Sequence, residues 1–144
     1  MEKRLNASEL EGLIEEICAP WVQELGITVK ELGESETQFV MPATEKILRH
    51  RGPNGGLVSG QALMAGSDTV SFLALSYLNG RFRNCVTVDM STNFMRPLPE
   101  GNVIYKVTVL SNGKRLATTR VDIFAEGSEK VATTSTGVFA YIED

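Results

Sequence analysis

Hydrophobic and polar positions along the chain change period several times, and each change marks an element. Leu10, Leu13, Ile14, Ile17 and Trp21 recur at helical spacing behind Ser8 and Glu11, which stand three residues apart as in a capping box, so an amphipathic helix is expected over 8–24. Beyond Gly26, ITVKEL and TQFVMPA cluster β-formers on either side of the turn-like GES and predict a first hairpin. An irregular loop over 44–58 follows, carrying His50, Pro53, Asn54 and several glycines. From Gly60 to Leu78 the chain is apolar on most sides, interrupted by small or hydroxyl side chains and by a single carboxylate, Asp68. Its glycines, serines and Asp68 make it too polar for a membrane span, so it reads as a buried helix. Four strand-like runs complete the chain: 85–95, NVIYKVTVLS, RLATTRVDIFA and KVATTSTGVFAYI. SNGK at 111–114 and EGSE at 126–129 punctuate the last three, which are expected to form an antiparallel meander.

Composition narrows the classes. At 144 residues and 42% hydrophobic content the chain suits a single soluble domain over 1–144 with a real core. The formal charge of -4 and the pI of about 5.1, with acids and bases intermixed, give no electrostatic case for nucleic acid or an anionic membrane. Cys18 and Cys85 lie far apart without metal-ligand spacing, which points to reduced, inert thiols, and the charged N-terminus lacks the pattern of a signal peptide; a cytoplasmic location is expected. With His50 as the single histidine, a multi-histidine metal site is excluded, and LVSGQ does not provide the G-x-S-x-G elbow of a serine hydrolase.

One long, nearly uncharged helix, followed by antiparallel strands and no second long helix, has to be enclosed by its own sheet. The expected class is α+β: a hotdog fold, with a long central helix wrapped by a curved antiparallel β-sheet and an N-terminal helix. Here the residues carry a resemblance. PNGGLVSGQALMAGSD resembles the loop-plus-helix motif of the phenylacetate-type (PaaI-like) hotdog acyl-CoA thioesterases, in which His-Gly-Gly is followed by an acid nine residues after the histidine. Ser59 stands at the histidine position, Gly60 and Gln61 at the two glycines, and Asp68 at the acid. The likeness extends through VTVDMSTNFMRPLPEG and NGKRLATTRVDIFAEGSEKVATTSTGVFAY, so it covers almost everything beyond the first helix.

The resemblance implies hydrolysis of an acyl-CoA to free acid and coenzyme A. That chemistry needs a donor for the developing oxyanion and a group that attacks the carbonyl or activates water. Gly60, at the expected helix N-terminus, offers an unpaired backbone N–H with no side chain in the way, and Asp68 serves as nucleophile or general base. The two are eight residues apart, about 12 Å along a helix, whereas one reacting carbonyl must lie about 3 Å from both. If both act, they come from different subunits, which implies a homodimer; whether dimers pair into tetramers is left open. Thr87 aligns with a strand hydroxyl that in some relatives orients the attacking water, and Asn54 resembles the loop asparagine near the carbonyl, one residue closer to the glycine than in the family pattern. Ser59 and Gln61 depart from the pattern beside the substrate entrance, and Arg96, with Arg49 and Arg51, is a candidate partner for coenzyme A phosphates.

No metal, flavin or nucleotide motif is present, so no cofactor is expected beyond the coenzyme A carried by the substrate. Two other readings stay open at this level: a non-catalytic acyl-CoA-binding hotdog protein, and a hotdog dehydratase or hydratase that would pair His50 with Asp68. The acyl group itself is undetermined; Met64, Phe72, Met90 and Phe94 are candidates for its pocket or for core filling.

Overall fold

The computed structural model describes residues 3–50 and 56–143. Its first helix, α1, covers Ala7–Ile17, and a short α2 covers Pro20–Gln23. The single helix expected over 8–24 is thus two. Pro20 has no N–H to continue α1 and disfavours helical backbone at Ala19, so Cys18 and Ala19 are both extended, with ψ of 148° and 152°. The capping box also lies two residues earlier than expected: Asn6 and Glu9 exchange the bonds, and Ser8 sits inside the helix.

Six strands follow in one antiparallel sheet: β1 (Thr28–Leu32), β2 (Thr37–Ala43), β3 (Cys85–Phe94), β4 (Gly101–Asn112), β5 (Leu116–Ala125) and β6 (Thr133–Tyr141). Their spatial order is β1-β2-β4-β5-β6-β3. The expected meander β4-β5-β6 is present, and β3 joins by pairing with β6, which leaves its other edge unpaired among the described residues. The 44–58 stretch is more ordered at its ends than expected. A 3₁₀ turn covers Glu45–Ile47, and bridges join Leu48 to Val58 and Leu57 to Pro99.

Against the sheet lies α3, Gly60–Asn79. It packs on β2, β4, β5, β6 and β3, with Leu63, Val70, Leu73, Ala74 and Leu75 buried. Small residues bring it close to the strands: Ser71 hydrogen-bonds Thr119 at 2.8 Å, and Ser67 accepts from Ser135 at 3.1 Å. Gly66 is the tightest point. A Cβ there would lie 2.5 Å from Cζ of the fully buried Tyr105, whose hydroxyl donates to the Leu63 carbonyl at 3.3 Å. Burial pushes that phenol well above its ordinary pKa, so it stays a donor. Gly66→Ala is therefore expected to destabilise by about 2 kcal/mol despite the gain in helix propensity, because the ring cannot move without breaking the core. Urea unfolding at one fixed protein concentration would show this as a lower midpoint with an unchanged slope.

One stripe of α3 is not enclosed. Gln61, Met64 and Asp68 are exposed, and at Asp68, which faces β3, no further layer of the described residues covers the helix. The sheet ends at β3 and leaves this stripe of the helix, Asp68 included, open.

Candidate active site

The start of α3 is tied down from three sides. The Val58 N–H donates to Leu98 O at 2.8 Å, the Ser59 N–H donates to Ile47 O at 2.9 Å, and the Ser59 hydroxyl accepts from the Ala62 N–H at 3.2 Å. Ser59 is therefore the N-cap, the role its residue type favours. Gly60 is the first helical residue, and its N–H and that of Gln61 have no hydrogen-bond partner among the described residues. These two unpaired donors sit at the positive end of the helix dipole. Phe94 lies over Gly60: a Cβ on Gly60 would be 3.2 Å from the ring. Together with Arg49, Leu57, Met95 and Arg96 they line a shallow cleft of about 310 Å³.

Two turns further along α3, Asp68 faces β3. Thr87 Oγ1 donates to Asp68 Oδ1 at 2.6 Å, a short bond of the charge-assisted kind, and Oδ2 has no partner among the described residues. The bulge at Thr87–Asp89 changes the register of β3 on β6 beside this bond. Asp68 and Thr87 open onto a second cleft, of about 280 Å³, lined by Phe72 of α3, by Phe82, Cys85 and Phe139, and by Ile17, Cys18, Trp21 and Val22 of the α1–α2 segment.

The Gly60 and Asp68 clefts share no lining residue within one chain. The structure thus brings Thr87 to Asp68, and Arg96 and Arg49 to Gly60. Arg96 is exposed, and no carboxylate pairs with it among the described residues. Gln61 is exposed between the two clefts and lines neither. Asn54 and Arg51 lie outside the described residues. His50 is exposed beside Thr44, Glu45 and Lys46, in a hollow that includes no residue of the Asp68 cleft.

Several lining residues carry no site signal in the sequence. The helical spacing of Trp21 and Ile17 implies a core-facing stripe, yet Ile17 at the end of α1 and Trp21 beyond the Pro20 break both line the Asp68 cleft; the proline was the available signal for Trp21. Cys18 and Cys85 are free thiols, as expected, but half-buried in this cleft and not in the core. Burial first, and the charge of Asp68 second, push both thiols above their ordinary pKa, with Arg83 opposing this at Cys85. Among the expected pocket candidates, Phe72 lines the Asp68 cleft, Phe94 the Gly60 cleft, Met90 packs beside Phe139, and Met64 is exposed.

Residues 46–140 match the family model described as the acyl-CoA thioesterase N-terminal domain. A candidate esterase of Thermoplasma volcanium is 33% identical over 106 residues, covering 74% of this chain and 75% of that protein. The crystal structure of a candidate thioesterase from a Silicibacter species superposes with a TM-score of 0.84 at 27% identity, covering 99% of this chain and 96% of that one. The phenylacetic acid degradation protein PaaI of Thermus thermophilus, solved as a point mutant, shares the fold with a TM-score of 0.70 at 24% identity, covering 86% of this chain and all of that one. The chain belongs to the family of the acyl-CoA thioesterase N-terminal domain and has the hotdog thioesterase fold. Both the fold and the hydrolase class expected from the sequence stand on these matches. No helix among the described residues is long and apolar enough to cross a membrane.

Proposed function

We propose that the protein hydrolyses acyl-CoA thioesters at two equivalent sites across a homodimer, each built from Asp68 and Thr87 of one subunit and the α3 N-terminus of the other. The observation that carries this reading is the Thr87–Asp68 hydrogen bond at the mouth of an apolar cleft. Thr87 fixes Oδ1 and leaves Oδ2 directed at the substrate. Asp68 then attacks the thioester carbonyl, expelling the coenzyme A thiolate and giving an anhydride that water opens, or it takes a proton from the water that attacks; either way thioester and water become acid and thiol. The unpaired N–H of the partner subunit's Gly60 receives the oxyanion.

Three features support the two-subunit arrangement. Gly60 and Asp68 lie about 12 Å apart along α3, too far to serve one carbonyl. Their clefts are separate within the chain. The free edge of the ten-residue strand β3, where Val86 and Val88 are exposed, suits pairing with a second copy. A two-fold axis there carries the N-terminus of one α3 toward the Asp68 of the other, and Arg96 beside Gly60 is then available to coenzyme A phosphates at the entrance.

The test is thiol release from acetyl-, octanoyl-, phenylacetyl- and palmitoyl-CoA by purified protein, with the oligomer measured in the same buffer. Turnover by a dimer or larger assembly is the expected result. Saturable binding of these thioesters without thiol release would replace the enzyme by an acyl-CoA-binding protein, and a fully active monomer would sink the shared site.

A further inference from the structure

The elbow between α1 and α2 places large apolar side chains in the open. Trp21 is 61% exposed and Ile17 41%, although both belong to a segment whose neighbours Leu10 and Ile14 are in the core. Ile17 ends α1, and the position of Trp21 is set by the extended pair Cys18–Ala19 and by Pro20 at the first position of α2. Gln23 holds the elbow by donating from Nε2 to Cys18 O at 2.9 Å. Trp21 and Ile17 form an apolar part of the cleft wall, which Phe72, Phe82 and Phe139 also line together with Asp68 and Thr87.

We propose that this elbow selects the substrate: Trp21 and Ile17 set the length of the apolar acyl chain that the cleft takes, with medium chains favoured. The proposal rests on the thioesterase reading and adds the substrate class to it. Three observations carry it. The walls flanking the carboxylate are apolar or aromatic, apart from Thr69, Asn84 and Thr87, which suits a hydrocarbon and not a polar acyl chain. Cys18 and Cys85, the sulfur atoms in the wall, are held as neutral thiols by burial and by Asp68, so they add no charge. The volume of about 280 Å³ accommodates roughly nine methylene-sized units at about 30 Å³ each, whereas a palmitoyl chain needs roughly 500 Å³. Coverage by the acyl chain also removes from water the exposed faces of Trp21 and Ile17.

The chain contains one tryptophan, so Trp21 reports occupancy without turnover. Two measurements separate this proposal from the reading beneath it. In the first, kcat/KM is measured from acetyl- to palmitoyl-CoA. It is expected to rise about fourfold per added methylene, to peak near octanoyl, and to fall at palmitoyl. Trp21→Ala is expected to lower the octanoyl-to-acetyl ratio at least tenfold, while Trp21→Phe retains most of it. In the second, octanoate is expected to shift Trp21 emission to the blue, saturably, in both wild type and Asp68→Asn, whereas acetate does not. Equal kcat/KM for acetyl- and octanoyl-CoA in an active wild type overturns the pocket assignment and leaves the thioesterase standing. A saturable octanoate shift in a protein that turns over no thioester supports the pocket and overturns the enzyme. A blue shift that follows protein concentration and ignores octanoate means that a second copy covers Trp21, and it overturns the selection proposal.

Discussion

Asp68→Asn is expected to lower kcat by about 10³-fold or more while leaving oligomeric state and unfolding midpoint close to wild type. The substitution keeps the shape of the side chain and can still accept the 2.6 Å bond from Thr87, so the geometry of α3 against β3 is retained. What is lost is the negative oxygen that attacks the carbonyl or accepts the proton from water. Thr87→Val tests the same pair from the other side: it preserves the β-branched shape and removes only the donor. A hydrogen bond to a charged group contributes about 1.5–3 kcal/mol, which predicts a fall of roughly 10- to 150-fold, with Thr87→Ser recovering most of it. Because Thr87 acts through Asp68, the double variant should be no slower than Asp68→Asn alone. Additive losses would mean that Thr87 contacts water or substrate independently, and a fully active Asp68→Asn enzyme would remove the carboxylate from the mechanism.

How much of this was legible in the sequence differs between the fold and the site, for physical reasons. The long run from Gly60 to Leu78 could only be a helix that needs covering, and α3 covers Gly60–Asn79 as its composition demands. The alternating runs fixed the strands within a few residues, TQFVMPA without any error, because a half-buried strand writes its two faces into the period of its side chains. Periodicity carries no information on partners across the sheet, so the placement of β3 beside β6 came only with the structure. At the N-terminus the helical spacing through Trp21 masked the break at Pro20, and with it the wall of the Asp68 cleft. Asp68 stood out as the one charge in an apolar run, and Thr87 entered through likeness to the family; the hydrogen bond between them depends on the strand bulge and on how α3 crosses β3, which a one-dimensional pattern does not encode. Cys18 and Cys85 show the same limit, since two thiols remote in sequence meet at one cleft only through the tertiary fold.

Gly60→Pro addresses the remaining half of the site, and it can be made with little harm to the helix. Proline is favoured at the first helical position, where the missing N–H has no intrahelical partner in any case. Ser59, with φ −69° and ψ 144°, already has the extended backbone that a following proline requires. The close neighbour of the new ring is Phe94, 3.2 Å from a Cβ at this position but exposed and able to yield. The variant thus removes one oxyanion donor and little else, and its kcat is expected to fall about 10²- to 10³-fold. The informative step is to combine it with Asp68→Asn. If each site takes Asp68 from one subunit and Gly60 from the other, a heterodimer of the two nearly inactive variants contains one site with both defects and one with none. Equal amounts refolded together give half heterodimers, so about a quarter of wild-type activity should return. A site confined to one chain predicts no recovery, because every protomer in the mixture then carries a defect in its own site. Recovery near a quarter, with none in either variant refolded alone, would place the partner's α3 N-terminus at the thioester carbonyl.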